Sequence, residues 1–191
     1  MPRATKEQSE LTARAVRASA FGLFAEHGYA EVGLERVAEQ AGVTRGAVYH
    51  HYGSKVGLFT AVVADAQAIV ARSVADAAPD DGWPALEAGS VAFMRAVVDP
   101  AVRRILLVDG PAVLGWGVWR ELDAAHAGRQ LAEGLGALDD LAVEPAAATA
   151  LLNGAMNEAA LWIAAGGDAA EAERGLLRLI ASLRRDPRER D

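Results

Sequence analysis

The sequence predicts an all-α fold, and three observations carry that prediction. Apolar residues recur at steps of three and four along most of the chain, which is the period of an amphipathic helix. Alanine supplies much of the 52% hydrophobic content, and alanine is the best helix former. No run alternates apolar and polar residues over the length of a strand. The 191 residues suffice for one domain, or two small ones, with a real hydrophobic core.

The first two predicted helices end at glycines. We expect a helix over about residues 8–27, whose apolar residues recur on one face, and Gly28 ends the pattern. A second, short helix covers about residues 34–41 and ends at Gly42, with glutamates at every fourth position as its solvent-facing stripe. Glycine is favoured just after a helix because it adopts the left-handed conformation without strain.

Two helices with good N-caps follow. Thr44 caps a helix of barely two turns over residues 45–51, which ends at Gly53. Ser54 caps a long helix over residues 54–77, and its apolar stripe runs along its whole length. Such a helix is long enough, at roughly 36 Å, to link two parts of one molecule.

The C-terminal half predicts five more helices. The turn residues PDDGWP at 79–84 interrupt the pattern, and prolines and glycines separate the segments that follow. We expect these helices at about 84–98, 100–108, 111–136, 145–165 and 168–185.

The residue types present argue against an enzyme. The chain has no cysteine, which excludes disulfides, thiolate nucleophiles and cysteine-ligated metal centres. His50 and His51 lie about 100° apart on a helix and cannot easily share one metal ion, and His27 and His126 stand alone. We therefore predict no catalytic residue, no metal site and no cofactor.

Positive charge is concentrated near the N-terminus of an acidic protein. The net charge is −7, but residues 1–55 carry seven Lys or Arg against six Asp or Glu, whereas residues 56–191 carry twelve against twenty. No acidic residue occurs between Glu39 and Asp65. That gap contains four residues with basic side chains: Arg45, His50, His51 and Lys55. A short acid-free basic segment indicates local contact with an anionic partner.

Residues 34–52 have the spacing of a helix-turn-helix. Two short helices flank a turn of about three residues that contains Gly42. The second helix offers the side chains that meet phosphates and base edges: Thr44, Arg45, Tyr49, His50 and Lys55. Gly46 and Ala47 add little bulk, which would let the N-terminal end of this helix approach another surface closely.

The run GYAEVGLERVAEQAGVTRGAVYHHYGSKVGLF, residues 28–59, resembles the DNA-binding domain of the TetR family of transcriptional regulators. The preceding LFAEHGY fits the end of that family's first helix, and the resemblance covers about residues 10–60. Two positions depart from the family pattern. Gly33 stands where Ser or Thr is common, and Val56 stands where an acidic residue is common.

The resemblance implies an N-terminal three-helix DNA-binding domain over residues 1–55 and a helical effector-binding and dimerisation domain over residues 56–191. It implies a ligand-responsive repressor that binds a palindromic double-stranded DNA operator as a homodimer. The family pattern also assigns DNA contacts: Thr44, Arg45 and Gly46 enter the groove, Tyr49, His51 and Lys55 meet backbone phosphates, and His50 lies near the DNA.

The last two helices are apolar over a wide arc, which favours a homodimer. A self-complementary interface between two copies suits such helices. The candidate interface residues are Leu151, Ala155, Ala159, Leu176, Leu179, Ile180 and Leu183. The alternative is that these residues form core within one chain.

A cluster of aromatic, methionine and amide residues indicates a cavity for a small-molecule effector. Trp116 and Trp119 lie one helical turn apart. The candidate lining residues are Phe93, Met94, Val97, Trp116, Trp119, His126, Leu152, Asn153, Met156, Asn157 and Trp162. The alternative is an ordinary core, since such clusters at helical spacing usually pack inside a protein.

A second function remains open from the sequence: a helical adaptor that binds protein through its acidic C-terminal region and does not bind DNA. The acid-free basic segment is harder to explain that way. The sequence shows no signal-peptide pattern at its start and no uninterrupted apolar stretch of membrane-spanning length, so we expect a cytoplasmic protein without a membrane partner.

Overall fold

The computed structural model describes residues 2–78 and 81–186, with side chains from Lys6 onward. Four helices make up the part before residue 79: α1 Pro2–His27, α2 Leu34–Gln40, α3 Arg45–Tyr52 and α4 Lys55–Ala77. Within the described ranges, extended pairing is limited to one isolated bridge between Leu141 and Arg184. The all-α prediction is confirmed. Residues 79 and 80 of the predicted turn lie outside the described residues.

The part from residue 81 is also helical, but in shorter pieces than the sequence predicts. Its α-helices are α5 Gly82–Val98, α6 Pro100–Arg103, α7 Gly110–Leu114, α8 Trp116–Ala124, α9 Ala127–Gly136, α10 Pro145–Ala164 and α11 Ala169–Ser182. A π-helix, Arg104–Asp109, lies between α6 and α7.

The single helix predicted over residues 111–136 is wrong. Gly115 has a φ of +76°, a conformation that ends α7 and that other residues rarely adopt. His126 leaves the helical region as well, with φ −126° and ψ −109°, and α9 begins after it. Apolar spacing continues across both breaks, which is why the sequence pattern did not reveal them.

The chain divides into two compact units. The first comprises the residues up to Ala66 together with Pro100–Trp119, and the second comprises Gln67–Asp99 together with the residues from Arg120. The predicted boundary at residue 55 divides the chain by function, into a DNA-binding domain and an effector-binding domain. These compact units divide it by packing, so the functional boundary stays a prediction.

In the first unit, α1 packs against α2, α3, α6 and the π-helix. Its buried apolar side chains include Val16, Ala20, Leu23, Phe24, Val37, Val48, Leu58, Phe59 and Val62. Phe59 packs edge-on against Phe24, with ring centroids 5.3 Å apart, and lies 4.9 Å from the ring of Tyr29. Helix α3 packs on this core through its buried residue Val48, and the opposite side of α3 is exposed.

In the second unit, α10 packs against α5, α9 and α11. Its core contains Leu86, Phe93, Met94, Val97, Leu131, Leu135, Leu152, Met156, Ala160, Leu176 and Ile180. The buried Asp123 and Asn153 interrupt this apolar core.

Helix α4 contributes residues to both units. By length and composition alone it is apolar enough to cross a membrane, and the core helix of a soluble protein passes the same test. The apolar stripe of α4 packs inside the protein. Its buried residues are Leu58, Phe59, Val62, Val63 and Val70.

Candidate functional site

The turn between α2 and α3 is built from one glycine and one threonine. Gly42 has a φ of +66°, and the amide of Val43 donates to the carbonyl of Ala38 at 3.0 Å. The Oγ1 of Thr44 accepts a hydrogen bond from the amide of Ala47 at 3.2 Å, so Thr44 caps α3 as predicted. The turn therefore directs the first turn of α3 toward solvent.

Arg45 projects from that first turn and is held by two neighbours. Its guanidinium lies 2.6 Å from Oε1 of Glu35 on α2 and donates to the Tyr49 hydroxyl at 3.2 Å. It also lies 5.2 Å from the centre of the Tyr49 ring. The hydrogen bond with Tyr49, and then the charge of Glu35, raise the pKa of Arg45. An arginine side chain is a permanent cation in any protein environment.

Gly46 leaves open space beside Arg45. A Cβ built on Gly46 would meet only Thr44 Oγ1 among the described atoms within 4 Å, at an ordinary distance of 3.7 Å. The residue is exposed on the first turn of α3. Internal packing therefore does not explain a glycine here.

The remaining residues of α3 differ in their surroundings. Tyr49 and His50 are exposed, whereas His51 is half-buried, and the two imidazole rings meet edge-on with centroids 5.4 Å apart. The Tyr52 hydroxyl donates to the carbonyl of Ala13 on α1 at 2.7 Å. That bond ties the end of α3 to α1, and burial raises the pKa of Tyr52.

Lys55 is partly engaged within its own unit. Its Nζ donates to the carbonyl of Ala30 at 3.2 Å and lies 4.2 Å from the centre of the Tyr29 ring. An ammonium has three donors, so others stay available for an external anion. The structure thus brings five predicted residues together on one exposed side of α3, which we call the α3 surface: Thr44, Arg45, Gly46, Tyr49 and His50. His51 and Lys55 lie at its border.

Residues far away in sequence hold the end of α1 in the same unit. The Arg104 guanidinium donates to the carbonyls of Glu26 and His27, at 3.2 Å and 3.3 Å. Asp109 accepts a hydrogen bond from the amide of Tyr29 at 2.9 Å. Sequence reasoning missed Arg104, Asp109 and the partner role of Glu35, because only the folded chain brings them near these groups.

A cavity of about 310 Å³ lies in the second unit, lined by α4, α5, α9 and α10. Three of the eleven predicted lining residues line it: Phe93, Asn153 and Met156. Met94, Val97 and Leu152 are buried in the core of the same unit without lining this cavity. The lining residues that prediction missed are mostly small, and they include Ala85, Gly89, Ser90, Ala127, Gly128 and Gln130.

The other predicted lining residues lie elsewhere. Trp116 and Trp119 belong to the first unit, where their rings stack 4.9 Å apart and Trp119 Nε1 donates to the carbonyl of Leu106. His126 precedes α9 and is half-buried, and Asn157 donates to Asn153 Oδ1 at 3.1 Å. Trp162 is 47% exposed on α10.

A buried carboxylate lies behind the cavity wall. Asp123 accepts hydrogen bonds from Asn153 Nδ2 at 2.5 Å and from Gln67 Nε2 at 3.4 Å. Burial raises the pKa of Asp123, and these hydrogen bonds oppose that effect. In the residues described, no group of three or more His, Asp or Glu side chains could hold a metal ion.

Two family models match the chain. The model described as "Bacterial regulatory proteins, tetR family" matches residues 16–62, which include α2, the turn and α3. The model described as "Tetracyclin repressor-like, C-terminal domain" matches residues 83–185, more than half of the chain. The chain belongs to the TetR family.

Relatives and solved structures agree with this TetR-family assignment. The chain is 34% identical over 117 residues to the HTH-type transcriptional regulator SrpR of Pseudomonas putida, covering 58% of this chain and 52% of SrpR. It is 42% identical over 53 residues to the transcriptional repressor AcnR of Corynebacterium glutamicum, covering 28% of each chain. The match thus spans about half the length of SrpR and less of AcnR.

Structural similarity extends over nearly the whole chain. A TetR-family transcriptional regulator from Pectobacterium atrosepticum superposes with a TM-score of 0.71 at 29% identity, covering 95% of this chain and 98% of that one. NalD of Pseudomonas aeruginosa, the secondary repressor of the MexAB-OprM multidrug efflux pump, gives a TM-score of 0.64 at 26% identity, covering 94% and 99%.

The predicted dimer residues of this TetR-family chain fall into two groups. Leu151 and Leu179 are 68% and 52% exposed, and Ala155, Ala159 and Leu183 are half-buried. Leu176 and Ile180 lie in the core of their own unit. Leu161 and Trp162 on α10 add exposed apolar area that the predicted set did not include.

Proposed function

We propose that this TetR-family protein is a transcriptional repressor that binds a palindromic DNA operator as a homodimer and responds to a small-molecule effector. The observation that carries the proposal is the α3 surface, where a capped two-turn helix exposes a guanidinium, a phenol and a glycine. Membership of a family of bacterial regulatory proteins supports the same function.

In this proposal Arg45 reads a base. A guanidinium pairs with the O6 and N7 atoms of guanine in the major groove through two parallel hydrogen bonds. Glu35 and Tyr49 limit the positions that the side chain occupies before DNA arrives, which lowers the entropy lost on binding. Gly46 lets the helix approach the base edges closely.

The neighbouring polar groups would contact phosphates and set the position of the helix. The hydroxyl of Tyr49, the imidazoles of His50 and His51 and the ammonium of Lys55 are suitable donors, while Thr44 lies with Arg45 and Gly46 at the end of α3 that enters the groove. The protein as a whole carries a net charge of −7, so unspecific attraction to DNA is weak and binding depends on this local surface.

A homodimer presents the α3 surface twice and therefore selects a near-palindrome. The exposed Leu151, Leu161, Trp162 and Leu179 on α10 and α11 supply an apolar surface for a second copy. The two half-sites would lie about one helical turn apart, roughly 10 to 10.5 bp, or a multiple of it.

The cavity of the second unit would take the effector. An effector changes DNA affinity only if it binds the conformation that binds DNA and the conformation that does not with different affinities. The resulting coupling free energy is typically about 1 to 3 kcal/mol. Helix α4, whose residues belong to both units, is the covalent route for that coupling. In this proposal the protein acts in the cytoplasm, because its DNA operator lies on the chromosome there.

Salt dependence tests the DNA-binding proposal. A duplex selected for binding from a random pool is titrated with the protein by fluorescence anisotropy at several salt concentrations. We expect the logarithm of the affinity to fall linearly with the logarithm of the salt concentration, because phosphate contacts release counterions. Arg45→Ala should lower affinity by about 1 to 3 kcal/mol.

Arg129→Ala provides the matched control. Arg129 is exposed on α9, in the second unit, and its variant should bind the duplex like the unmodified protein. An affinity that is independent of salt, or equal losses in the two variants, would contradict DNA contact through the α3 surface. A random pool that yields no bound duplex would favour a protein-binding adaptor.

A further inference from the structure

The cavity of the second unit has an apolar wall with no positive charge. Its described lining consists mainly of alanine, glycine, valine, leucine, phenylalanine and methionine side chains. Asp81 is the charged residue among those described at the wall, which includes no Lys, Arg or His. An anionic ligand would lose its hydration here without gaining a cation in return.

Two hydrogen-bonding groups at the wall have no partner. Ser90 Oγ is buried without a hydrogen bond, in a residue that is only 4% exposed on α5. Gln130 Oε1 is buried without a hydrogen bond as well, while its Nε2 donates to the carbonyl of Ala71 at 3.2 Å. An unsatisfied buried oxygen costs about 1 to 3 kcal/mol. Gln130 Oε1 is an amide oxygen that only accepts, so it is a site for a donor from outside the chain, and the Ser90 hydroxyl can accept from the same donor through its lone pairs.

The buried amide at the wall, Asn153, is already hydrogen-bonded, and a carboxylate lies behind it. Asn153 lines the cavity, but its Nδ2 is bonded to Asp123 and its Oδ1 accepts from Asn157. The Asp123 carboxylate behind Asn153 disfavours an anion further when ionised. Burial raises the pKa of Asp123, which reduces this contribution toward acidic pH but does not reverse it.

We propose that the cavity binds a small, mainly apolar molecule that carries a hydrogen-bond donor and no negative charge, with Ser90 and Gln130 receiving the donor. This inference rests on the proposed function for its biological meaning, since the molecule would be the effector. The chemistry is shared by alcohols, phenols and protonated amines, so the test includes both a neutral and a cationic donor.

Four probes with one ring system separate these features. Methylnaphthalene has no donor, naphthylmethanol has a neutral donor, naphthylmethylamine is a cation, and naphthoate is an anion. Binding to the full chain without DNA is measured by isothermal titration calorimetry, with thermal shift as a second readout. We expect at least one of the two donor probes to bind about three- to tenfold more tightly than methylnaphthalene, and naphthoate to bind most weakly.

Ser90→Ala tests the location of the bound donor. This variant should lose about three- to tenfold in affinity for the donor probe while keeping its affinity for methylnaphthalene. Its free energy of unfolding should stay equal or rise, because the substitution removes an unsatisfied buried hydroxyl. A merely structural role for Ser90 would lower stability instead. Ser73→Ala is the matched control, since the Ser73 hydroxyl already bonds the carbonyl of Ile69.

Several results would overturn the inference: naphthoate binding as tightly as the donor probes, methylnaphthalene binding as tightly as they do, no probe binding at its solubility limit, or Ser90→Ala binding the donor unchanged. DNA affinity of the same samples is measured in parallel without any probe. Intact DNA binding with a failed probe series rejects the ligand class alone, whereas probe binding without DNA binding rejects the proposed function alone.

Discussion

Gly46 shows at the scale of one residue how a binding surface differs from a packing surface. Glycine is intrinsically less favourable in a helix than alanine, by about 0.5 to 1 kcal/mol. The described neighbours of Gly46 would accept a Cβ at an ordinary distance. The fold therefore gains nothing from glycine at this position, which agrees with the proposed close approach of this helix to DNA.

Gly46→Ala should separate stability from DNA binding. We expect the free energy of unfolding to stay equal or rise by up to about 1 kcal/mol, because alanine favours the helix. The affinity for a selected operator should fall about tenfold, because the added methyl group meets the DNA. Urea denaturation and fluorescence anisotropy measure the two quantities.

Gly22→Ala is the control for this prediction. Gly22 is exposed within α1, and a Cβ there would meet no described atom within 4 Å. The control should gain stability in the same way and keep its DNA affinity. Unchanged DNA affinity in Gly46→Ala would show that the glycine does not face DNA.

Local chemistry made part of the α3 surface predictable from sequence. The cap Thr44, the glycine turn and the outward position of Arg45 follow from short-range spacing. The pairing of Arg45 with Glu35 does not, because it depends on the angle between α2 and α3. The engagement of Lys55 with Ala30 and Tyr29 depends on tertiary packing in the same way.

At the scale of elements, the second half of the chain shows where periodicity fails. Apolar spacing predicted one helix over residues 111–136, but Gly115 and His126 break it into α7, α8 and α9. The predicted cavity also missed, because Trp116 and Trp119 lie in the first unit while the cavity lies in the second. The small residues that line the cavity carry no sequence signal of their own.

Two aspartates on different elements should respond oppositely to pH. Burial raises the pKa of Asp123 in the folded chain, so its contribution to stability falls as pH rises from the unfolded pKa through the higher folded pKa. Hydrogen bonds from the amides of Glu171 and Ala170 lower the pKa of Asp168, the N-cap of α11. Its contribution is present above the unfolded pKa and is lost as pH falls through the lower folded pKa.

Urea denaturation of Asp123→Asn and Asp168→Asn over roughly pH 3 to 7 measures these contributions. The stability of the unmodified protein relative to Asp123→Asn should increase toward acidic pH. Its stability relative to Asp168→Asn should decrease toward acidic pH. A stability difference for Asp123→Asn that decreases toward acidic pH would show that Asp123 is not buried as the structure has it. One for Asp168→Asn that increases would show that its hydrogen bonds to α11 do not form.

At the scale of the whole molecule, the apolar residues that remain exposed on α10 and α11 support the proposed contact with a second copy. Leu151 and Leu179 leave large apolar side chains in solvent, whereas Leu176 and Ile180 complete the core of their own unit. The wide apolar arc in the sequence thus contains both core residues and exposed residues, and only the folded chain shows which are which.

Leu179→Asp should convert the proposed homodimer into monomers. An unpaired carboxylate inside an apolar interface costs several kcal/mol, whereas on an exposed surface it costs little. Sedimentation equilibrium measures the mass, and operator affinity should fall with it because two half-sites no longer bind together. Val143→Asp, at an exposed position in the segment before α10, should leave the mass unchanged. A Leu179→Asp protein that sediments as a dimer places the interface elsewhere.

Selection of bound sequences from a pool of random duplexes tests the central claim most directly, that two copies of α3 read DNA. We expect recovery of a near-palindrome whose half-sites are centred about one helical turn, or a multiple of it, apart. The same selection with Arg45→Ala should lose preference at one position in each half-site. Recovery of no shared sequence, or of a single asymmetric site, would contradict the account.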